Sequence, residues 1–253
     1  MMKQLFRVAA FVIAAASLAS QASAQALPWE GRGFFNVNFG LQVIAEDVAA
    51  TSTTFTLYDE TGTLTTEQTI DSTAPFLDFG GGLRLTGNFG FGFAYSRLTA
   101  TGTAAVNAEV PSPIYYDQPR KVTATVEDLD HVENGYHFQA LWMLPITDKV
   151  DVVLSGGPSW FSLTQGIVTS PQITEVGPPY STVNMTVSQT TTTGSQLGFN
   201  LGADLTFRVA NNVGIGAMVR YAAATVTLEP ADSDPSDVKV GGFQFGGGLR
   251  IRF

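Results

Sequence analysis

Residues 196–208 read Gln-Leu-Gly-Phe-Asn-Leu-Gly-Ala-Asp-Leu-Thr-Phe-Arg. Leu197, Phe199, Leu201, Ala203, Leu205 and Phe207 fall on one parity, opposite Gly198, Asn200, Gly202, Asp204 and Arg208. A period of two is the mark of a β-strand with one apolar and one polar face. Asn211-Asn212 then turns the chain, and Val213, Ile215, Ala217, Val219 and Tyr221 repeat the pattern opposite Gly214, Gly216, Met218 and Arg220.

Working outward, the same alternation recurs over Phe34–Ala45, Phe76–Thr86, the stretch from Phe89 to Ser96, Gly135–Leu144, Val150–Phe161 and Val240–Phe253. Gly87-Asn88 predicts a tight turn between the second and third of these six stretches. Pro158 interrupts the alternation of 150–161; lacking a ladder donor, it is expected near a strand end or bulge. The count is about eight strands. Their connections alternate in length. Those near Gly87, Thr147 and Asn211 are short, whereas 46–75, 99–134, 163–195 and 227–239 are long and rich in Thr, Pro, Asp and Glu, and are expected as loops.

Composition points the same way. Hydrophobic residues make up 44% of the 253-residue chain and charged residues 14%, well below the roughly 25% of a soluble domain. No apolar run after the N-terminus suffices for a membrane-spanning helix, so a crossing must be made by strands. The expected fold is all-β: an antiparallel up-and-down transmembrane β-barrel over 25–253.

The N-terminus reads as a leader. Lys3 and Arg7 form a basic start, Val8–Ala19 is apolar, and Ala22-Ser23-Ala24 supplies small residues for cleavage, so 1–24 is expected to be a signal peptide. There are no cysteines, which removes disulfides and thiol chemistry. The net charge of −9 argues against nucleic-acid binding.

Alternation alone does not separate a lipid-facing barrel from a soluble sandwich, whose apolar face is its core. Two features favour the barrel. Tyr95, Tyr136, Trp160 and Tyr221 fall at the long-connection ends of strands, where amphipathic rings suit a headgroup layer. The polar face carries Asp78, Arg84, Asp204, Arg208, Arg220, Arg250 and Arg252, with Asp151 a further partner, and such side chains would fill a narrow lumen as ion pairs. Arg97 instead continues the outward phase of Tyr95.

The last strand ends in Leu249, Ile251 and a terminal Phe253. This resembles the signal that outer-membrane barrel proteins present to the barrel assembly machinery. With the leader and the repeated strands, the chain resembles the small eight-stranded family typified by the OmpA transmembrane domain and OmpX. The resemblance implies export through the periplasm, periplasmic chaperones and the assembly machinery as partners during biogenesis, and a monomer among outer-membrane lipid and lipopolysaccharide. A peptidoglycan-binding domain beyond the barrel, and the tethering role it would supply, are not expected.

Catalytic and metal chemistry are not expected. His131 is read in an acidic loop with Asp128, Asp130 and Glu133, and His137 is phased into the lumen; neither shows a His-x-Ser arrangement on a lipid-facing strand. The acidic residues around His131, and Asp232, Asp234 and Asp237, lack calcium-loop spacing. Residues 87–92 open a strand and not a helix, against a phosphate loop. No cofactor is implied. Most of the 22 acidic residues lie in or beside the long connections. The expectation is a structural or surface-interaction barrel, with a narrow porin-like or OmpW-like channel for small solutes as the alternative and a lipid-modifying barrel enzyme as the least favoured reading.

Overall fold

The computed structural model describes residues 31–44, 50–177, 182–229 and 235–253. The leader at 1–24, Asp232 and Asp234 lie outside the described residues. Ten strands follow in order: β1 (Gly33–Val43), β2 (Ala50–Leu57), β3 (Glu60–Ile70), β4 (Thr73–Thr86), β5 (Phe89–Val110), β6 (Arg120–Pro145), β7 (Val150–Val176), β8 (Thr182–Arg208), β9 (Val213–Leu228) and β10 (Ser236–Arg252). All pairings are antiparallel. Eight strands close a ring in the order β1-β4-β5-β6-β7-β8-β9-β10, with β10 returning to β1. Closure leaves no edge within the ring, the condition for strands to cross hydrocarbon.

The faces settle the ambiguity left by alternation. Phe35, Phe39, Phe79, Phe91, Phe93, Phe199, Leu201 and Phe245 all point outward and are exposed, while Asn38, Asp78, His137, Arg220 and Arg250 point inward and are buried. An apolar exterior around a polar interior is the arrangement that lipid stabilises.

Along β5 the arrangement inverts. Up to Tyr95 the large apolar residues Phe89, Phe91 and Phe93 point outward; from Leu98 onward the apolar residues Leu98, Ala104, Val106 and Val110 point inward, and Thr99, Thr101 and Glu109 face out. The switch marks where the surrounding medium changes from lipid to water. Beyond it, a dry interior is favoured for the usual reason that apolar area leaves water.

The strands therefore continue past the membrane into a β-lobe. Hairpin β2–β3 adds to the projecting half of β5, giving a β2-β3-β5-β6 layer. The β6–β7 pairing runs only from Pro145↔Asp151 to His131↔Gln165, whereas β7–β8 stays paired to Val176↔Thr182. The projecting β7–β8 hairpin so forms a second layer. Between the layers Leu64, Ala104, Val106, Val110, Leu129 and Val168 are packed with Phe55, Val122, Val126, Ile173 and Met185.

Three expectations are corrected. The long connections at 46–75, 99–134 and 163–195 are strands over most of their described length, because Thr, Val and Ala alternate there and β-branched residues suit a pleated surface. His131 is not in a loop: it lies in β6, fully buried. Pro158 sits mid-strand, paired with Phe199, with no bulge. The β6–β7 register is the same on both sides of it, and only the rungs between His137↔Ser159 and Ala140↔Gly156 are missing. The imide nitrogen costs a ladder bond without displacing the strand.

Candidate functional site: the lumen and its mouth

At the short-turn end, Arg250 on β10 grips Asp204 on β8 bidentately, Nε to Oδ1 at 2.9 Å and Nη2 to Oδ2 at 2.6 Å. Thr206 donates to the same carboxylate at 3.2 Å. Arg252 pairs with Asp151 at 2.5 Å, and Arg208 approaches that carboxylate at 3.7 Å. Parity along β7, β8 and β10 sends these side chains inward together. Arg84, half-buried near the end of β4, completes the basic side of this end.

Loop-ward of this cluster, a chain of bonds crosses the lumen. Asp78 on β4 accepts from Asn38 Nδ2 at 2.9 Å and pairs with Arg220 Nη2 at 2.6 Å. Arg220 Nε donates to Gln244 at 2.6 Å, and Gln244 donates to Gln42 at 2.6 Å. Gln42 Nε2 donates to Glu133 at 2.8 Å. The other Glu133 oxygen meets His131 Nε2 at 2.9 Å, and His131 Nδ1 lies 2.5 Å from Gln165. Asp78, Arg220, Gln244, Gln42, Glu133, His131 and Gln165 thus link β4, β9, β10, β1, β6 and β7 without a gap.

A second group ties in the remaining walls. Ser96 Oγ lies 3.0 Å from His137 Nε2, and Ser159 Oγ 2.8 Å from His137 Nδ1. Asn200 donates to Ser159 at 2.8 Å and accepts from Gln139 at 2.9 Å. The Ser–His contact has the composition of a nucleophile and base. Yet His137 is fully buried, with Phe161 edge-on to its ring at 5.7 Å. Between the tiers a cavity of about 50 Å³ is lined by Asn36, Asn38, Asp78, Asp204 and Arg220 among others. That is room for roughly three waters.

The polar residues singled out from sequence therefore fall into two separate levels: Arg250, Asp204, Arg252, Arg208 and Arg84 at the short-turn end, and Asp78 with Arg220 loop-ward of them. Glu133, His131 and Gln165 were missed as lumen residues. The signal was available, since Glu133 and His131 share the parity of His137. No group of metal-binding side chains occurs among the described residues.

The aromatic residues form a row. Tyr95 pairs with Tyr136, and Tyr136 with Trp160, at one level of the wall. The Tyr95 and Tyr136 rings are 5.3 Å apart, and the Tyr95 hydroxyl donates to Asn134 at 2.8 Å. Tyr221 lies against Phe243 at 4.9 Å. Leu249 and Ile251 face outward on β10, opposite Val37 and Phe35. Phe253 closes the ring: its carbonyl accepts from the amides of Arg32 and Gly33 at 2.7 and 2.9 Å.

Above the lumen, β9 and β10 leave the wall. Pairing of β9 with β8 ends at Phe199↔Ala223, and that of β10 with β1 at Val43↔Phe243. Gly241 and Gly242 have φ of +89° and +127°, a region only glycine enters easily. They tilt the hairpin over the mouth, where Val226, Leu228, Val238 and Val240 bury against Phe161 and Leu163. Glu133 holds the bend by accepting from the Gly241 amide at 3.0 Å, and Gln42 by donating to its carbonyl at 3.0 Å.

Comparison with curated proteins returns no match. Among solved structures, Neisserial surface protein A is 14% identical with a TM-score of 0.41, covering 87% of this chain and 97% of its own. Outer membrane protein AlkL, solved in lipid bilayers, is 12% identical with a TM-score of 0.43, covering 91% and 94%. The outer membrane protease OmpT of Escherichia coli is 9% identical with a TM-score of 0.40, covering 92% and 100%. A family model described as the outer membrane protein beta-barrel domain matches residues 10–250. The chain belongs to this family, and its place is the outer membrane.

Proposed function

We propose that the barrel is an anchor, and that the β-lobe it carries outside the membrane is the working part, meeting external partners through an acidic, threonine-rich surface. The observation that supports this reading is the bonded chain from Asp78 to Gln165, which spans the lumen above a cavity of about 50 Å³. Opening a path through it would break several buried, charge-assisted bonds, each worth roughly 1.5–3 kcal/mol. The channel alternative has to meet that cost. On the lobe, Glu127, Asp128 and Asp130 are exposed on β6, as are Thr190, Thr191 and Thr193 on β8.

The purified protein in planar lipid bilayers is expected to give no discrete openings; stepwise conductance would overturn the anchor reading. Proteoliposomes are expected to bind a soluble polycation such as polylysine at low salt. Replacing Glu127, Asp128 and Asp130 by their amides should weaken that binding several-fold. Unchanged binding would remove the acidic surface from the account.

A further inference from the structure

The β9–β10 hairpin covers the mouth of the lumen, and its bend at Gly241 and Gly242 is held by Glu133 of β6. The state of that carboxylate depends on His131, two residues away on the same face. His131 pairs with Ala100, loop-ward of the switch on β5, so the two side chains stand outside the lipid-spanning part. Both nitrogens of the His131 ring face an acceptor: Nε2 lies 2.9 Å from Glu133 Oε1, and Nδ1 lies 2.5 Å from Gln165 Oε1. The Gln165 amide is fixed in this orientation, because its Nε2 donates to the Gly166 carbonyl at 3.2 Å. A neutral imidazole has one N–H and serves one acceptor, whereas the imidazolium serves both. His131 is therefore doubly protonated here, and its charge balances a carboxylate that is itself buried. Among the described residues no other charge meets the ring. Toward it β5 turns Leu98 and Ala100, β1 Gln42, β7 Gln165 and β3 Gln68, which bonds the Gly166 carbonyl. Arg220 of β9 is linked to Glu133 through Gln244 and Gln42. Asp130 of β6 and Asp237 and Lys239 of β10 are exposed.

We propose that His131 and Glu133 form a proton-controlled latch: the charged ring keeps the hairpin down over the mouth, and loss of its proton lets the hairpin lift about Gly241 and Gly242. Once the ring is neutral, Glu133 is a buried carboxylate without a counter-charge, a costly state that water relieves when the hairpin swings away. Lifting bares Val226, Leu228, Val238 and Val240 together with the facing Phe161 and Leu163. Asp78 and Arg220 stay paired below, so the latch requires neither a conducting lumen nor a lobe partner. Burial acts to lower the pKa of His131, but the hydrogen bond and charge of Glu133, with Gln165, outweigh this and hold it above the ordinary 6.5. A group raised in this way stabilises fully below its unfolded pKa and loses that contribution as pH rises through the folded one. The hairpin is therefore held in mild acid and released in mild alkali.

The test is the distance between spin labels on the hairpin and on the opposite wall, in the full chain held in lipid nanodiscs. The chain has no cysteine of its own, so Thr225→Cys on β9 and Thr99→Cys on β5, both exposed, take the labels. One short distance is expected at pH of about 5.5, and a longer one should grow at least fivefold in population by about pH 9. Its midpoint should match the titration of the His131 ring followed by NMR. In the labelled chain, His131→Gln should remove the pH response and show at every pH the open fraction that the unaltered chain reaches in alkali. Heat-dependent gel migration checks that the variant is folded; should His131→Gln fail that check, His131→Asn takes its place. A single unchanged distance across the range, a midpoint apart from that of His131, or a pH response that survives the substitution overturns the proposal.

Discussion

Arg220 and Asp78 illustrate the economy of a polar lumen. Both are almost fully buried, and each has a second partner in Gln244 or Asn38. Removing one member strands the other charge, which costs roughly 3–5 kcal/mol, whereas replacing both by apolar groups of similar size is often close to neutral. Arg220→Ala should therefore lower stability to urea in lipid vesicles by about that amount, and Asp78→Leu with Arg220→Met by far less. On the other face, Phe91 is exposed between Phe89 and Phe93. Phe91→Arg should cost about 2–4 kcal/mol in the same titration; a neutral result would mean that this face does not meet lipid. Which residues face the lumen was legible from parity for Asp78, Arg220 and Arg250. Glu133 and His131 were hidden because charge density suggested a loop, although a buried carboxylate can sit in a strand when His131, Gln42 and the Gly241 amide all bond to it.

At the scale of the element, β5 records the membrane boundary in a change of phase, and β10 records a bend in two glycines. A Cβ on Gly242 would sit 2.0 Å from the Val43 carbonyl oxygen, at a φ that side chains rarely adopt. Gly242→Ala should destabilise the barrel by more than the roughly 1–3 kcal/mol of backbone strain alone, read as a lower urea midpoint. At the tip of the lobe, Glu175 accepts from the Tyr58 hydroxyl at 2.5 Å and pairs with Arg120, joining hairpin β2–β3 to β6 and β7. Slight burial acts to raise its pKa, but Tyr58 and Arg120 outweigh this and bring it below the ordinary 4.5. A carboxylate depressed in the folded state stabilises fully above its unfolded pKa and loses that contribution as pH falls through the folded one. Pepsin should therefore cut the β2–β3 hairpin faster as pH drops from about 5 to 3, and Glu175→Gln should flatten that dependence. The projecting strands were the part of the fold least legible in advance. Their Thr-Val-Ala alternation lacks the large aromatic residues that mark the spanning segments, so it reads as loop until pairing partners are known.

At the scale of the molecule, the same chain builds two interiors stacked end to end, a polar one inside lipid and an apolar one inside water. They should respond differently to their surroundings. The barrel is expected to resist detergent at room temperature, so unheated and heated samples should migrate apart on a detergent gel; identical migration would contradict a closed ring. Cleavage within the lobe should leave that shift intact, because the ring from β1 to β10 closes through bonds below the aromatic row.

Parity by itself determined that these strands have an apolar and a polar side, that there are about eight of them, and that short turns alternate with long connections. Those features follow from the two-residue pleat, which every strand obeys whatever surrounds it. Only the tertiary structure decided which side faces outward, since an apolar face is equally at home in a dry core or in lipid. It alone brought Gln42 of β1 to Glu133 and His131 of β6. It also made a lobe out of apparent loops, because a weak alternation becomes a strand only when a neighbour supplies its hydrogen bonds.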